Sequence, residues 1–257
     1  MDPNVSEWLN LVFRWIHVVA GVMWIGHLWF FNFVNAQVAK TYDADSKKKV
    51  VPELMPRALY WFRWGAAFTW ISGFFLLGIV VYMGGVLVET EQAKGPAIGA
   101  GLGSLVVGWV IYDLLWKQLA KNEPVGAGIS FVLITATAFG LGTLMSGRAL
   151  FIHIGSIFGT IMAANVWMRI WPNQRKIIAA TKAGTPPPDG AVPLAGLRSK
   201  HNTYMSIPLI FFMISNHFPT VYGSDIRWVW VAVFTAVGWG VAKFLYTKSA
   251  SAAAAQF

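Results

Sequence analysis

Residues 149–171 read ALFIHIGSIFGTIMAANVWMRIW, and this stretch decides the fold class of the chain. It has 23 residues, and His153 and Arg169 are its only ionisable side chains. Because a helix rises 1.5 Å per residue, this length is sufficient to cross about 30 Å of hydrocarbon. The stretch therefore predicts a transmembrane helix that carries one imidazole inside the bilayer.

Six further apolar segments predict the same kind of structure. The seven expected spans lie at about 9–35, 58–86, 96–117, 125–146, 149–171, 202–218 and 227–247. The chain is 56% hydrophobic and 12% charged, whereas soluble domains carry about 25% charged residues. We therefore predict an all-α fold, a polytopic membrane helical bundle of about seven transmembrane helices, with residues 1–257 forming a single integral membrane domain.

The longest connection, residues 173–200, is expected to be a cytoplasmic linker between the fifth and sixth spans. Its three consecutive prolines and its glycines argue against a continuous helix, and its first part is expected to lie on the membrane surface. The N-terminal MDPNVSEWLN has neither a basic region nor a small-residue cleavage site. We expect it to begin the mature protein rather than to be a signal peptide.

The basic residues predict the orientation of the bundle. With seven spans, one side would hold 16 of the 20 Lys and Arg residues: Lys40, Lys47, Lys48, Lys49, Arg57, Arg63, Lys117, Lys121, Arg169, Arg175, Lys176, Lys182, Arg198, Lys200, Lys243 and Lys248. Basic loops stay in the cytoplasm, so the N-terminus is predicted outside and the C-terminus in the cytoplasm of a bacterial inner membrane. Anionic lipid headgroups account for the net charge of +9 without nucleic acid.

The five histidines fall into two predicted layers. His17, His153 and His217 belong to the outer half of the bilayer, and His27 and His201 to the inner half. Ionisable groups inside a membrane are usually functional, and facing imidazoles can hold a b-type haem. We therefore predict one or two b-type haems. His17 and His153 are the expected iron ligands of the outer haem, with His217 as their rival, and His201 and His27 belong to a second, inner haem.

Two arginines lie just outward of the principal histidines. Arg14 is one turn from His17, and Arg148 precedes His153, so both could face haem propionates. Other interpretations remain open: histidines at helix ends can cap the backbone, and the three outer histidines can form a copper or zinc site. Asp113 is expected to be an interfacial charge. The chain has no Cys, which excludes thiolate ligands and attached c-type haem within these residues.

Three motifs resemble a known family. They are LVFRWIHVVAGVMWIG (11–26), GRALFIHIGSIFGTIMAANVWMRIWPNQRK (147–176) and HNTYMSIPLIFFMISNHFP (201–219). Together they are similar to the membrane domain of bacterial cytochrome-c-linked urate oxidases, also called urate hydroxylases. The resemblance implies oxidation of urate towards 5-hydroxyisourate. It also implies His17, His153, His201 and His217 as the family's histidines, with His27 outside the pattern.

The chain departs from that family at its C-terminal side. The family carries a cytochrome c domain there, and a CxxCH motif is absent from these residues. We therefore expect a separate c-type cytochrome as electron acceptor. The alternative is a non-catalytic electron-transfer or structural subunit of a larger respiratory complex. A bound purine anion would need donors and a cation, and Asn202, Tyr204, Asn216 and Arg148 are all candidates.

Overall fold

The computed structural model describes residues 2–89 and 93–251, and within them the secondary structure is helical with no strand. We number the helices in chain order: α1 (Pro3–Val38), α2 (Ala44–Tyr82), α3 (Lys94–Gln118), α4 (Glu123–Gly142), α5 (Gly147–Ala183), α6 (Ala191–Ser215), α7 (Pro219–Tyr222) and α8 (Arg227–Ser251). Seven of these are long, and α7 is a single turn. The predicted all-α membrane bundle is confirmed, whereas its orientation stays a prediction.

Six of the long helices are both long and apolar enough to cross a membrane: α1 to α5 and α8. The remaining one, α6, has 25 residues and covers most of the expected span 202–218, but it is less apolar. Its polar residues Asn202, Thr203, Ser206 and Ser215 are buried. These side chains face other helices rather than lipid, so the lower hydropathy of α6 reflects its position inside the bundle.

Acidic caps start the first two helices well before their apolar spans. The Asp2 carboxylate accepts a hydrogen bond from the Asn4 amide at 2.9 Å, and the Asp43 carboxylate accepts one from the Ser46 amide at 2.7 Å. Such caps satisfy amides that lack a partner in the helix. At the C-terminal end of α5, Gly184 adopts a left-handed φ of 71° and stops the helix. Residues 184–190 then separate α5 from α6.

Helix α5 lies at the centre of the bundle. In its most apolar stretch 72% of the residues are buried, against 17–39% in the other five spanning-length helices. It packs between α3 and α6, while α1 lies along α2 and α8 packs on α4 and α6. At the α1–α2 contact, a Cβ on Gly65 would lie 3.1 Å from the Trp24 amide nitrogen. Glycine there lets the two backbones approach closely.

Three helices contain a π-helical segment. These segments are residues 30–35 in α1, 77–82 in α2 and 166–170 in α5. π-Helical turns are rare and occur frequently at functional sites. The second segment ends at Tyr82 and the third contains Arg169, and both side chains form hydrogen bonds with other helices.

Candidate functional site

His153 is fully buried on α5 and both of its ring nitrogens have partners. Nδ1 lies 2.7 Å from the Ala149 carbonyl oxygen, and Nε2 lies 2.9 Å from the Tyr82 hydroxyl. Since a carbonyl can only accept, Nδ1 carries the proton and Nε2 accepts from Tyr82. A Cβ on Gly101 of α3 would lie only 2.6 Å from Nε2. The imidazole is therefore locked between α2, α3 and its own helix.

His17 joins α1 to α2. Its Nδ1 lies 2.9 Å from the Thr69 carbonyl oxygen and 3.2 Å from the Ser72 hydroxyl. A Cβ on Gly73 would lie 2.9 Å from Cε1 of the ring, so glycine provides the space that the imidazole occupies. His17 thus contacts α2 around residues 69–73, whereas His153 contacts it at Tyr82. Both are helix–helix contacts, made at separate points of α2.

The other residues predicted for the outer site lie apart from these two. His217 is exposed after the end of α6. Arg14 is exposed and donates to the Asn10 side chain on its own helix, with a shortest distance of 3.1 Å. The Arg148 guanidinium lies 5.9 Å from the centre of the Tyr222 ring. Across the part of the chain that the structure describes, no hydrogen bond or ring contact joins His17, His153, His217, Arg14 and Arg148 to one another.

The two inner histidines also differ in their surroundings. His27 is bonded within α1, with Nδ1 2.7 Å from the Met23 carbonyl oxygen. His201 on α6 reaches across to α3, where its Nδ1 lies 2.9 Å from the Tyr112 hydroxyl. The Trp116 ring centre is 4.0 Å from that of His201. His201, unlike His27, therefore belongs to a polar group shared by several helices.

That group includes a buried ion cluster centred on Asp113, which is only 4% exposed. The Asp113 carboxylate accepts from Arg169 at 2.9 and 2.5 Å, from Arg198 at 3.0 Å and pairs with Lys117 at 3.0 Å. Arg198 is fully buried, and its guanidinium lies 4.9 Å from the Tyr112 ring centre. Asp113 is therefore the carboxylate that joins α3, α5 and α6, and its expected place at the membrane interface stays a prediction.

Two asparagines extend the group towards the middle of the bundle. The Asn165 amide donates to the Tyr112 hydroxyl at 3.0 Å and to the Asn202 carbonyl oxygen at 2.9 Å. The Asn202 amide in turn donates to the Met162 carbonyl at 3.0 Å. Both side chains are fully buried. The sequence contained a signal for this network, because Asp113 and Asn165 interrupt otherwise apolar spans, where polar side chains are unfavourable unless paired.

A cavity of about 580 Å³ lies beside His201, between α3, α4, α5, α6 and α8. On α3 its wall runs from Ser104 to Trp116, which corresponds to about 18 Å of helix. Most of the wall is apolar. The charged side chains on it are Glu123, Lys200 and Lys243, and a 2.5 Å ion pair joins the first two.

The metal and haem predictions can be compared with this geometry. Among residues 2–89 and 93–251, no group of three or more His, Asp or Glu side chains is arranged to hold a metal ion, so a three-histidine copper or zinc site is not formed. An outer haem would need Nε2 of His153, which accepts from Tyr82, and space beside a ring that touches Gly101. In this arrangement His153 does not fit an iron ligand. His201 borders a cavity, and it is the only imidazole among the residues that line it.

Helices of spanning length, a buried ion cluster and a cavity with an imidazole in its wall define a multi-pass membrane protein with a polar core. A family model described as "Urate oxidase N-terminal" matches residues 3–49 and 42–257. The chain belongs to this family, and the resemblance predicted from the three motifs is confirmed. Comparison with curated proteins and with solved structures gave no match.

Proposed function

We propose that the protein oxidises urate at a bacterial inner membrane and passes the electrons to a c-type cytochrome. The observation that carries this proposal is membership of the urate oxidase N-terminal family over nearly the whole chain. The polar core supports it, because buried ionisable groups inside a bilayer are usually retained for function rather than for stability.

The outer end of the bundle is the site that we propose for urate. Of the four candidate donors, Asn202 is occupied by Asn165 and Met162. The Asn216 amide donates to the Met213 carbonyl at 2.6 Å, and Tyr204 is stacked on Tyr246 with a centroid distance of 5.7 Å. Arg148 instead places a guanidinium beside the Tyr222 ring. A cation next to an aromatic face is what a planar anion requires. A soluble acceptor on the same side of the membrane could reach a substrate bound there.

A b-type haem remains part of the proposal as its redox cofactor. When bound, haem supplies the one-electron steps that a c-type cytochrome can accept. His17 would be one iron ligand, because its Nδ1 is held by the Thr69 carbonyl and its Nε2 has no hydrogen bond within the described residues. His153 would join it only after Tyr82 had turned away. His201 is left out of this haem site, because the Tyr112 hydroxyl bonds its Nδ1 and no second histidine of the described residues lines the cavity beside it.

The experiment for urate uses the purified full chain in nanodiscs with soluble c-type cytochrome as acceptor. We expect urate consumption only when the acceptor is present. Arg148→Gln should raise KM at least tenfold, because a charge-assisted contact to an anion is worth about 1.5–3 kcal/mol. Arg57→Gln, at an exposed pair with Glu53, is the control and should change neither kcat nor KM. Unchanged kinetics of Arg148→Gln would remove the outer site from the proposal.

Haem content, measured together with urate consumption, distinguishes a urate-oxidising enzyme from a non-catalytic electron-transfer subunit. Pyridine haemochrome analysis should detect b-type haem, and Tyr82→Phe should increase occupancy if His153 is a ligand, since the substitution frees Nε2. His217→Ala is the control and should leave the spectrum unchanged. Full haem loading without urate consumption, with every acceptor tried, would instead identify a non-catalytic electron-transfer subunit of a larger respiratory complex.

A further inference from the structure

The cavity beside His201 has a mouth on the apolar surface of the bundle. Val107 and Ile111 of α3 and Leu133 of α4 line it, yet they are 53%, 44% and 39% exposed on the apolar surface of the bundle. Side chains that are both exposed and cavity-lining lie at its mouth, and at mid-helix that mouth faces the bilayer. This mouth gives a lipophilic molecule direct access from the membrane.

The polar end of the cavity presents an N–H donor from His201. Tyr112 accepts a hydrogen bond from the Asn165 amide, and if Nδ1 of His201 also donated to it, the hydroxyl proton would have no acceptor among the described residues. The fully paired arrangement therefore has Tyr112 donating to Nδ1. With Nδ1 accepting, the neutral imidazole carries its proton on Nε2. The buried network thus fixes His201 as a donor towards a ligand in the cavity.

Trp239 of α8 supplies a second donor on the same wall. Its indole Nε1 is buried and has no hydrogen-bond partner among the described residues, although Trp239 lines the cavity. An unpaired buried N–H is unfavourable by about 1–3 kcal/mol, and a carbonyl oxygen of a ligand would relieve it. The cavity therefore combines two N–H donors with a long apolar chamber.

We infer that this cavity binds a membrane quinone, whose two ring carbonyls accept from His201 and Trp239 while its isoprenoid tail lies along the apolar wall. The inference rests on the proposed urate oxidation only for the source of electrons. The reaction balances as urate plus water plus quinone giving 5-hydroxyisourate plus quinol, with two electrons and two protons transferred. The protein would then have an electron acceptor inside the bilayer in addition to the soluble cytochrome.

Other occupants match the wall less well. A purine anion has no apolar tail for the chamber and comes from water. A six-coordinate haem needs a second axial ligand, and Met205 on the wall lies one turn from His201 on the same helix. The two tyrosines on the wall are already engaged, Tyr112 with Nδ1 of His201 and Tyr204 with the Tyr246 ring. A phospholipid has the apolar chains but no ring with two carbonyls to meet the two donors.

The test measures quinone binding without urate. Nanodisc-embedded protein is titrated with decylubiquinone, and co-purified quinone is extracted and quantified. Trp239→Phe keeps the ring and removes the N–H, so the Kd should rise about five- to tenfold. Trp109→Phe is the matched control, since its Nε1 is also buried and unpaired but the residue lies outside the cavity wall. It should leave the Kd unchanged.

A second pair of variants tests the apolar chamber without changing the polar network: one fills the chamber and the other is its control. Ala127→Leu places bulk in the chamber and should abolish decylubiquinone binding, whereas Gly128→Leu, with nothing within 4 Å of its Cβ position, should not. Binding that survives Ala127→Leu, equal Kd values for both tryptophan variants, or extraction of haem or phospholipid from this cavity would overturn the inference. Because the titration contains no urate, quinone binding and urate oxidation can fail independently.

Discussion

Replacing Asp113 by Asn should strongly destabilise the bundle. The substitution keeps the size of the side chain but removes the carboxylate that pairs with Arg198, which is fully buried. Two other guanidinium nitrogens of Arg198, Nε and Nη1, have no hydrogen-bond partner among the described residues. After the change, a neutral amide oxygen replaces the carboxylate, and neither the Asp113 backbone carbonyl at 3.4 Å nor the Tyr112 ring brings a negative charge to this cation.

The magnitude follows from leaving a buried charge unpaired, which costs about 3–5 kcal/mol. For a chain of this size each kcal/mol lowers Tm by about 2–4 °C, so we expect a decrease of roughly 6–20 °C. Intrinsic tryptophan fluorescence during heating of the detergent-solubilised protein is the assay. Glu53→Gln is the control, because the Glu53–Arg57 pair is 70% and 72% exposed and should not change Tm measurably.

A double variant separates unpaired charge from lost packing. Arg198→Met in the Asp113→Asn background removes the unpaired cation, so much of the lost Tm should return. Arg169 and Lys117 are partly exposed and can reach water, and their loss of a partner should cost less. A wild-type Tm for Asp113→Asn, or no recovery in the double variant, would refute this account of the cluster.

Other predictions concern helix packing and orientation. Gly101→Ala should lower Tm, because the new Cβ would lie 2.6 Å from Nε2 of His153 and overpacking costs about 1–3 kcal/mol; Gly103→Ala, with open space at that position, should not lower it. Gly238→Ala should likewise destabilise the α6–α8 contact, where the Cβ would lie 2.6 Å from a proline ring, whereas Gly240→Ala should be tolerated. A C-terminal alkaline phosphatase fusion should be inactive, and periplasmic activity would reverse the predicted orientation.

The helices could be predicted from the sequence because each apolar run is long enough to identify a helix by itself. Their ends were less predictable. Helix α5 continues past the expected end of its span to Ala183 although Pro172 lacks an amide donor. The proline directly follows the π-helical segment 166–170 and Trp171, where the regular hydrogen-bond pattern is already interrupted. Hydropathy carries no information about such local geometry.

The site was predicted in part, because counting residues along a span gives only an approximate depth and no direction around the bundle. His17 and His153 were expected at one level, yet they contact α2 around residues 69–73 and at Tyr82, and Gly73 and Tyr82 are about 14 Å apart along that helix. The contacts that build the polar core join distant positions: His153 and Tyr82 are 71 residues apart, and Arg198 and Asp113 are 85 apart. Which polar residues meet depends on helix rotation, and a single sequence does not encode that visibly.

The π-helical segment in α5 makes the number of residues between Asn165 and Trp171 important in itself, whatever their side chains. Such a turn holds one residue more than an α-helical turn, so deleting one residue from 166–170 would restore an ordinary helix. The deletion would also bring Arg169 one residue closer to Asn165 along the chain, and one residue corresponds to about 100° of helix rotation. The Asn165–Tyr112 and Arg169–Asp113 hydrogen bonds to α3 could then not both keep their geometry, although every side chain of the polar core would still be present. We expect this segment to accept changes at the exposed Met168 far more readily than the loss of one residue.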